Sequence, residues 1–276
     1  MVQSSTNPDG ARSVGVGVIG FGWMGNVHTR AYARVRHHFP QLGVVPELVV
    51  VADDVPGRAA EAAAQYGFAA AVQDWREVLT DPRVHAVSVT APNWLHREIG
   101  TVVAQSGRHL WIEKPVGLNA DDARAVTAAV RAAGVQSTVG FNYRNAPAVA
   151  LARQLIDAGD IGRVTHARFH FLSDYAASPA GALTWRYERA RGGNGVLGDL
   201  ASHAVDLIRY LLGDIVSVAA DTAAFIPERP RPVGPSSGHV QAAGGERGPV
   251  ENEDYVGALL RLASGAGSCS RPAGWR

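Results

Sequence analysis

The chain has 276 residues, 46% hydrophobic and 18% charged, which is typical of a globular protein large enough for two modest domains. Its net charge of +1, without a basic run, predicts neither nucleic acid nor a membrane as a partner. The lone Cys269 excludes an internal disulfide, residues 1–13 are a polar leader without a signal peptide, and no apolar stretch could span a bilayer. We therefore expect a soluble, cytoplasmic protein.

The first predicted elements form a dinucleotide-binding motif. An apolar strand over residues 14–19 runs into a glycine turn, and apolar residues then recur at helical spacing. The turn consists of Gly20, Phe21, Gly22, Trp23, Met24 and Gly25, and the helical stripe of Met24, Val27, Ala31 and Val35. In this context Gly20 allows the tight turn, Gly22 lets a pyrophosphate approach, and Gly25 lets the helix pack on the strand. The N–H groups at the helix start would bind the phosphates.

An acidic pair follows the second predicted strand, residues 47–52. Asp53 is expected to accept hydrogen bonds from the adenosine ribose and to repel a 2′-phosphate, which favours NAD over NADP. Asp54 is expected to cap the next helix. The connection from Gly25 is longer than usual for this motif, and residues 37–46 read as a loop that holds the excess.

Helices and strands then alternate up to residue 144, which predicts a doubly wound parallel sheet in a domain spanning residues 14–144. The predicted helices cover residues 56–66, 74–79, 93–105 and 121–133, and the strands Ala86–Val89, His109–Ile112 and 135–139.

Lys114 is the only lysine in the chain, although Lys and Arg together number 26. A site that needed only positive charge would accept arginine, whereas a small pocket or a proton transfer requires a compact amine. Pro115 ends the preceding strand, and the carboxyl ends of strands are where α/β folds place ligands. Lys114 is therefore a candidate catalytic residue.

The second half reads as an α+β domain over residues 145–276 with a largely antiparallel sheet. A helix up to residue 158 precedes a long strand at 163–171, a helix at 197–212, and strands at 215–224, 254–262 and 266–269. Residues 227–249 read as a low-complexity loop.

The helix at 197–212 carries two stripes. Its expected core stripe consists of Leu197, Leu200, Ala204, Leu207 and Leu211. Asp199, His203 and Asp206 form a polar stripe beside it. This polar stripe could be a buried His–Asp pair that only packs, or part of a substrate-binding site. The preceding glycines, residues 192–195, favour a site because they let a ligand approach. The interpretation as a metal site is less well supported, since Asp199 and His203 could supply two ligands but no cysteine or further histidine cluster completes the set.

Oxidation of an alcohol by a nicotinamide cofactor requires a base near neutral pKa and a donor that stabilises the developing charge on oxygen. His203 and Lys114 fit these two roles, and we expect them to meet in a cleft between the halves.

The chain resembles the glucose–fructose oxidoreductase / inositol dehydrogenase family (Gfo/Idh/MocA). The matching segments are residues 18–25, 91–96, Glu113-Lys114-Pro115 and 192–206, and the resemblance extends from residue 14 to about residue 268. Segments 141–144, 183–186 and 226–230 resemble the levoglucosan dehydrogenase branch, which oxidises an anhydro-sugar with NAD.

The resemblance implies a role for each matching residue. Lys114, Asp199 and His203 would bind and activate the sugar hydroxyl, Pro92 and Asn93 would lie near the nicotinamide, and Trp185 and Arg186 near the cofactor or a neighbouring subunit. The cofactor set is completed by Thr90, His96, Glu113 and again Lys114, and the substrate set by Asn142, Tyr143 and Arg144.

The expected function is NAD-dependent oxidation of a secondary hydroxyl of a sugar, anhydro-sugar or cyclitol, without a metal. Two alternatives remain: an NADPH-dependent keto-sugar reductase, and a non-catalytic regulator that senses a dinucleotide. Family members form homo-oligomers, dimers or tetramers. They also continue past residue 276, so we expect a truncated second domain, a compromised subunit interface and weak turnover.

Overall fold

The computed structural model describes residues 11–232, 245–265 and 267–270. The chain divides after Gly140 into two compact units. Among the described residues, no helix is long and apolar enough to cross a membrane.

The first unit is built on a six-stranded parallel sheet in the order β3-β2-β1-β4-β5-β6. Its strands are β1 Arg12–Ile19, β2 Val44–Ala52, β3 Ala70–Val72, β4 Ala86–Val89, β5 His109–Ile112 and β6 Ser137–Val139. Its helices are α1 Trp23–His38, α2 Arg58–Tyr66, α3 His96–Gln105 and α4 Ala120–Ala133, with 3₁₀ turns at Pro40–Leu42, Trp75–Leu79 and Asn93–Leu95. The predicted doubly wound sheet is confirmed.

Strand order reverses at β1, which lies between β2 and β4. In open α/β sheets the crevice at such a reversal, outside the carboxyl ends of the strands, is where ligands bind. Both faces of the sheet are covered, so β4 is an apolar run with Val87 and Val89 fully buried. Ser88 between them is equally buried and polar.

Several boundaries in the first unit differ from those predicted. The stretch 37–46 is not a loop, because α1 runs to His38, a 3₁₀ turn follows, and β2 already begins at Val44. The short β3 was not predicted. Asp54 does not cap α2, since that helix begins at Arg58 behind Gly57, whose φ of 84° is left-handed. The helix α1 itself is confirmed, but its apolar stripe is not its buried face.

The second unit combines helices with a four-stranded sheet in the order β7-β12-β11-β8. Its helices are α5 Pro147–Ala158, α6 Arg189–Gly192 and α7 Ser202–Leu212. Its strands are β7 His166–Arg168, β8 Ile215–Ala223, β9 Glu228–Pro230, β10 Arg247–Pro249, β11 Tyr255–Leu262 and β12 Gly267–Ser270. The central β11 is antiparallel to both neighbours, and only β12 and β7 are parallel. The predicted α+β class is confirmed.

Three predictions for the second unit are corrected. The strand predicted at 163–171 is shorter in the structure, where β7 pairs with β12 over three residues, His166–Arg168. The stretch 227–249 is not all loop, since β9 and β10 pair within it, and residues 233–244 lie outside the described residues. The helix at 197–212 starts as a π-helical turn, Leu197–Ala201. Leu197 of the expected core stripe is exposed, whereas His203, Asp206 and Ile208 are buried.

Candidate active site

The three glycines of the first turn have three different environments. Gly20 has a φ of 87°, and a Cβ there would lie 2.7 Å from the Ala91 nitrogen. A Cβ on Gly25 would lie 2.3 Å from the Gly20 carbonyl oxygen, so this glycine lets α1 start directly against the turn. A Cβ on Gly22 would meet nothing within 4 Å. Gly22 therefore leaves an open approach to the backbone, as a pyrophosphate site requires.

The start of α1 suits an anion. The first turn of α1 contains no acidic residue, and the N-cap Gly22 makes no side-chain cap hydrogen bond. The positive end of the helix dipole is thus not offset by a carboxylate of the helix itself. Trp23 is 75% exposed beside it and Met24 is half-buried.

Asp53 is a buried carboxylate at the end of β2, with only 6% of the residue exposed. Its Oδ2 accepts the backbone N–H of Phe21 at 2.6 Å and its Oδ1 that of Val55 at 2.9 Å. The guanidinium of Arg58 is 3.2 Å from Oδ1. Asp53 therefore joins the glycine turn to the end of β2. Arg58 was not predicted as a partner of Asp53.

Two residues tie the turn after β4 to its surroundings. The Thr90 hydroxyl donates to the Gly20 carbonyl oxygen. His96 is 1% exposed, with Nδ1 2.6 Å from the Pro115 carbonyl oxygen and Nε2 2.7 Å from that of Ala91. Burial lowers the pKa of His96 despite these two acceptors. Pro92 and Asn93, which lie between Thr90 and His96 in the chain, are half-buried.

Lys114 follows β5 and is half-buried, next to the buried Glu113. The Lys114 backbone N–H donates to Oε2 of Glu113 at 3.2 Å. The other carboxylate oxygen lies 3.0 Å from Nε2 of His28 on α1. His28 was also missed, because its helix was predicted from the apolar residues around it.

In the second unit, His203 lies in an aromatic enclosure. Phe171 stacks on its ring at a centroid distance of 5.7 Å and 17° between planes. Tyr143 and Phe141 meet it edge-on at 4.8 Å and 5.7 Å. His203 is 7% exposed. The structure thus brings His203 and the predicted substrate residue Tyr143 together, while Phe171 and Phe141 were not predicted as contacts of His203.

Asp199 lies in the π-helical turn and accepts a hydrogen bond from the hydroxyl of Tyr175. Burial, and after it the adjacent Asp199 carboxylate, raise the pKa of Tyr175, so the phenol remains protonated and a donor. Tyr175 is 24 residues from Asp199 along the chain, on an irregular segment. No sequence pattern marks this pair.

Arg144, which the resemblance places in the substrate set, pairs with Asp206 in the structure. Its guanidinium makes two hydrogen bonds to the buried carboxylate of Asp206, through Nε to Oδ2 at 2.7 Å and through a second nitrogen to Oδ1. Asn142 and Tyr143 lie with it in the 3₁₀ turn Asn142–Asn145. The bidentate pair fixes this turn to α7.

Trp185 and Arg186, the remaining predicted site residues, lie in the turn Trp185–Tyr187, where the Arg186 guanidinium is 4.4 Å from the centroid of the Trp185 ring.

Two glycines in the stretch 192–195 are required by close backbone contacts. Cβ atoms at Gly192 and Gly195 would lie 2.4 Å and 1.9 Å from the carbonyl oxygens of Arg186 and Glu253. These two glycines admit the chain's own backbone, which corrects the expectation that they make room for a ligand. The described residues contain no group of three or more His, Cys, Asp or Glu that could hold a metal ion.

The strand order of the first unit and its glycine turn define a Rossmann dinucleotide-binding domain. Residues 14–141 match the family model for an oxidoreductase family with an NAD-binding Rossmann fold (GFO_IDH_MocA), and residues 149–269 match the model of the GFO/IDH/MocA C-terminal domain. The chain belongs to the GFO/IDH/MocA family of oxidoreductases.

Levoglucosan dehydrogenase of Pseudarthrobacter phenanthrenivorans is 39% identical over 92% of this chain and 66% of that protein. An NAD(+)-dependent scyllo-inositol 2-dehydrogenase of Bacillus subtilis is 35% identical over 63% of this chain and 48% of its own length. A solved structure of levoglucosan dehydrogenase with NADH and levoglucosan superposes with a TM-score of 0.86 at 38% identity, covering 94% of this chain and 66% of that one. The chain thus spans about half to two thirds of the length of these relatives.

Proposed function

We propose that this protein oxidises a secondary hydroxyl of a sugar, anhydro-sugar or cyclitol with NAD. The observation that carries the proposal is the sole lysine of the chain, Lys114, the second residue after β5 in a Rossmann unit whose Gly22 is open to a pyrophosphate. The relatives are named as dehydrogenases of levoglucosan and scyllo-inositol, which are respectively an anhydro-sugar and a cyclitol.

In this proposal, each of three residues of the chain has a separate catalytic role. NAD, when bound, supplies the acceptor for the hydride. Lys114 binds the substrate oxygen and stabilises the charge that develops on it. His203 takes the hydroxyl proton, since a neutral imidazole can act as a general base. Asp199, held by Tyr175, orients the substrate.

A second candidate, reduction of a keto-sugar with NADPH, has one observation in its favour. Arg58 lies beside Asp53 with its side chain 40% exposed, and an arginine near the ribose is how such folds accept a 2′-phosphate. The buried Asp53 carboxylate favours NAD, since a second anion beside it would be repelled.

Two measurements separate these functions. The first is a fluorescence titration of the protein with NADH and with NADPH. The second is a turnover screen of levoglucosan, inositols and pyranoses with each oxidised cofactor, followed by a test of whether deuterium at the oxidised carbon is transferred to the cofactor. Preferential binding of NADH and direct deuterium transfer to NAD support the proposal. Preferential NADPH binding, or binding without turnover of any of these substrates, contradicts it.

A further inference from the structure

Two buried histidines flank the Glu113-Lys114-Pro115 segment, and the proposed chemistry uses neither. His28 is 2% exposed and His96 is 1% exposed. Burial of a polar ring is unfavourable unless its nitrogens find partners. The polar partners of these two rings, Ser88, Ala91, Glu113 and Pro115, lie on the strands and turns around Lys114.

His28 is fixed on all sides. Its Nε2 lies 3.0 Å from Oε1 of Glu113, and its Nδ1 lies 3.1 Å from the hydroxyl oxygen of Ser88. That hydroxyl is 2.7 Å from the hydroxyl of Tyr32. The imidazole stacks on the Trp111 ring with centroids 4.0 Å apart. His28 thus holds the Glu113 carboxylate in one position relative to α1.

Glu113 transmits this position to the backbone of Lys114. Its second carboxylate oxygen accepts the Lys114 N–H at 3.2 Å. Its first oxygen occupies the space above Gly140, where a Cβ would lie 2.2 Å from it. Gly140 itself donates to the Ile112 carbonyl oxygen at 2.9 Å. The carboxylate therefore fits between α1 and the chain that leaves β6, and Gly140 is glycine because this carboxylate needs the room.

His96 holds the other side of Lys114. Its two ring nitrogens lie 2.6 Å from the carbonyl oxygen of Pro115 and 2.7 Å from that of Ala91. Because burial lowers the pKa of His96, its ring is neutral and only one of its nitrogens donates to one of these carbonyl oxygens, while the ring lies against both the turn that follows β4 and the turn that follows β5. His28 on α1 therefore acts through Glu113 on the backbone before Lys114, and His96 on α3 contacts the backbone after it.

We propose that His28 with Glu113, and His96, are positioning residues that fix the backbone on both sides of Lys114 and so aim its amine. This rests on the proposed function, which gives Lys114 its role in activating the hydroxyl. None of the three needs to touch substrate. A displacement of the amine by about 1 Å is enough to lower the rate by about 10²-fold.

The sole lysine makes the proposal testable without turnover. Reductive methylation with isotope-labelled formaldehyde places an NMR label on Lys114 and on the chain's amino terminus. The Lys114 signal is identified by its absence from Lys114→Arg, which retains only the label on the amino terminus. The variants are Glu113→Gln, which removes the charge, and Gly140→Ala, which keeps the charge and displaces the carboxylate. His85→Asn is the control, because it removes a histidine whose Nδ1 accepts the Gly15 N–H at the opposite ends of the strands.

We expect the Lys114 resonance to move in both variants and not in the control. With a turned-over sugar, kcat should fall by about 10²-fold in both variants, and in Gly140→Ala, which replaces no residue of the expected cofactor set, the Kd for NAD should change little. An unchanged Lys114 resonance, or a moved resonance with wild-type kcat, overturns the proposal. If Gly140→Ala does not fold, Ser88→Ala, which removes one partner of His28, takes its place. If the wild-type protein oxidises no sugar, the proposed function fails and the resonance alone decides the positioning role.

Discussion

The backbone N–H of Phe21 in the glycine turn donates to Oδ2 of Asp53 at the end of β2, over 2.6 Å. The residue expected to select the cofactor therefore also holds the turn expected to bind its pyrophosphate. Any change at Asp53 should affect both properties, and this coupling can be measured.

Asp53→Asn is expected to weaken NAD binding by roughly 10–100-fold, since hydrogen bonds to a charged group contribute about 1.5–3 kcal/mol. An amide cannot accept from both Phe21 and Val55, because one of its two atoms is a donor. NADP should be affected less, because the repelling charge is gone and Arg58 loses its partner. Titrations with both cofactors measure this, and Asp54→Asn, at the exposed neighbouring position, is the control. An equal loss for NAD and NADP would refute the role of Asp53 in selection.

Gly22→Ala and Gly25→Ala should separate binding from folding. A methyl group at Gly25 would lie 2.3 Å from the Gly20 carbonyl oxygen. Overpacking of this kind typically costs about 1–3 kcal/mol, so we expect the free energy of unfolding to fall by at least that much. Gly22 has open space and a φ of −79°, which alanine accepts, so Gly22→Ala should unfold like the wild type and bind NAD more weakly. Thermal unfolding and an NADH titration on both variants test the pair. Equal Tm values would contradict the assignment.

The Arg144–Asp206 pair should respond asymmetrically to mutation. The Asp206 side chain is 6% exposed and that of Arg144 is 44% exposed. Arg144→Ala leaves a buried carboxylate without its cation and should cost about 2–3 kcal/mol, less than for a fully buried pair. Asp206→Asn keeps one acceptor for an arginine that can reach water, and should cost about 1 kcal/mol. Urea unfolding of both variants gives the comparison, and a larger loss for Asp206→Asn would contradict it.

Tyr32 should make stability sensitive to alkaline pH. Burial raises the pKa of Tyr32 to about 12, and the hydrogen bond with Ser88 only partly offsets this. The unfolded chain loses this proton near pH ~10. The stabilisation is therefore complete below about pH 10 and is lost as pH rises towards the folded pKa of about 12, by at most about 1.4 kcal/mol per pH unit. Tyr32→Phe should lack this component, so the stability difference between it and the wild type should change over that window. A constant difference would show that Tyr32 titrates normally.

The elements that could be predicted from the sequence are those marked by local patterns. The apolar runs of β4 and β5, the glycine turn and the position of Lys114 at a strand end follow from neighbouring residues. The buried face of α1 could not be predicted this way. Val27 is 38% exposed and His28 is 2% exposed, because a buried hydrogen-bond network replaces the apolar contacts that a hydrophobic stripe presupposes.

Contacts between residues far apart in the chain were also missed. Tyr175, the partner of Asp199, and the paired strands β9 and β10 come from segments without periodicity, so no local pattern relates these partners to each other. The motif positions named by resemblance were found by matching residues. Their roles in binding and catalysis remain predictions.

The most direct test of the account is the rate of Lys114→Arg. This variant keeps the positive charge and replaces a compact amine with a planar guanidinium, which cannot occupy the same position against the substrate oxygen. Sugar-dependent NADH formation and the Kd for NAD are measured on the wild type and the variant under identical conditions. The account predicts a loss of turnover of at least about 10²-fold with NAD binding retained. A variant with near wild-type kcat would contradict the central role of Lys114.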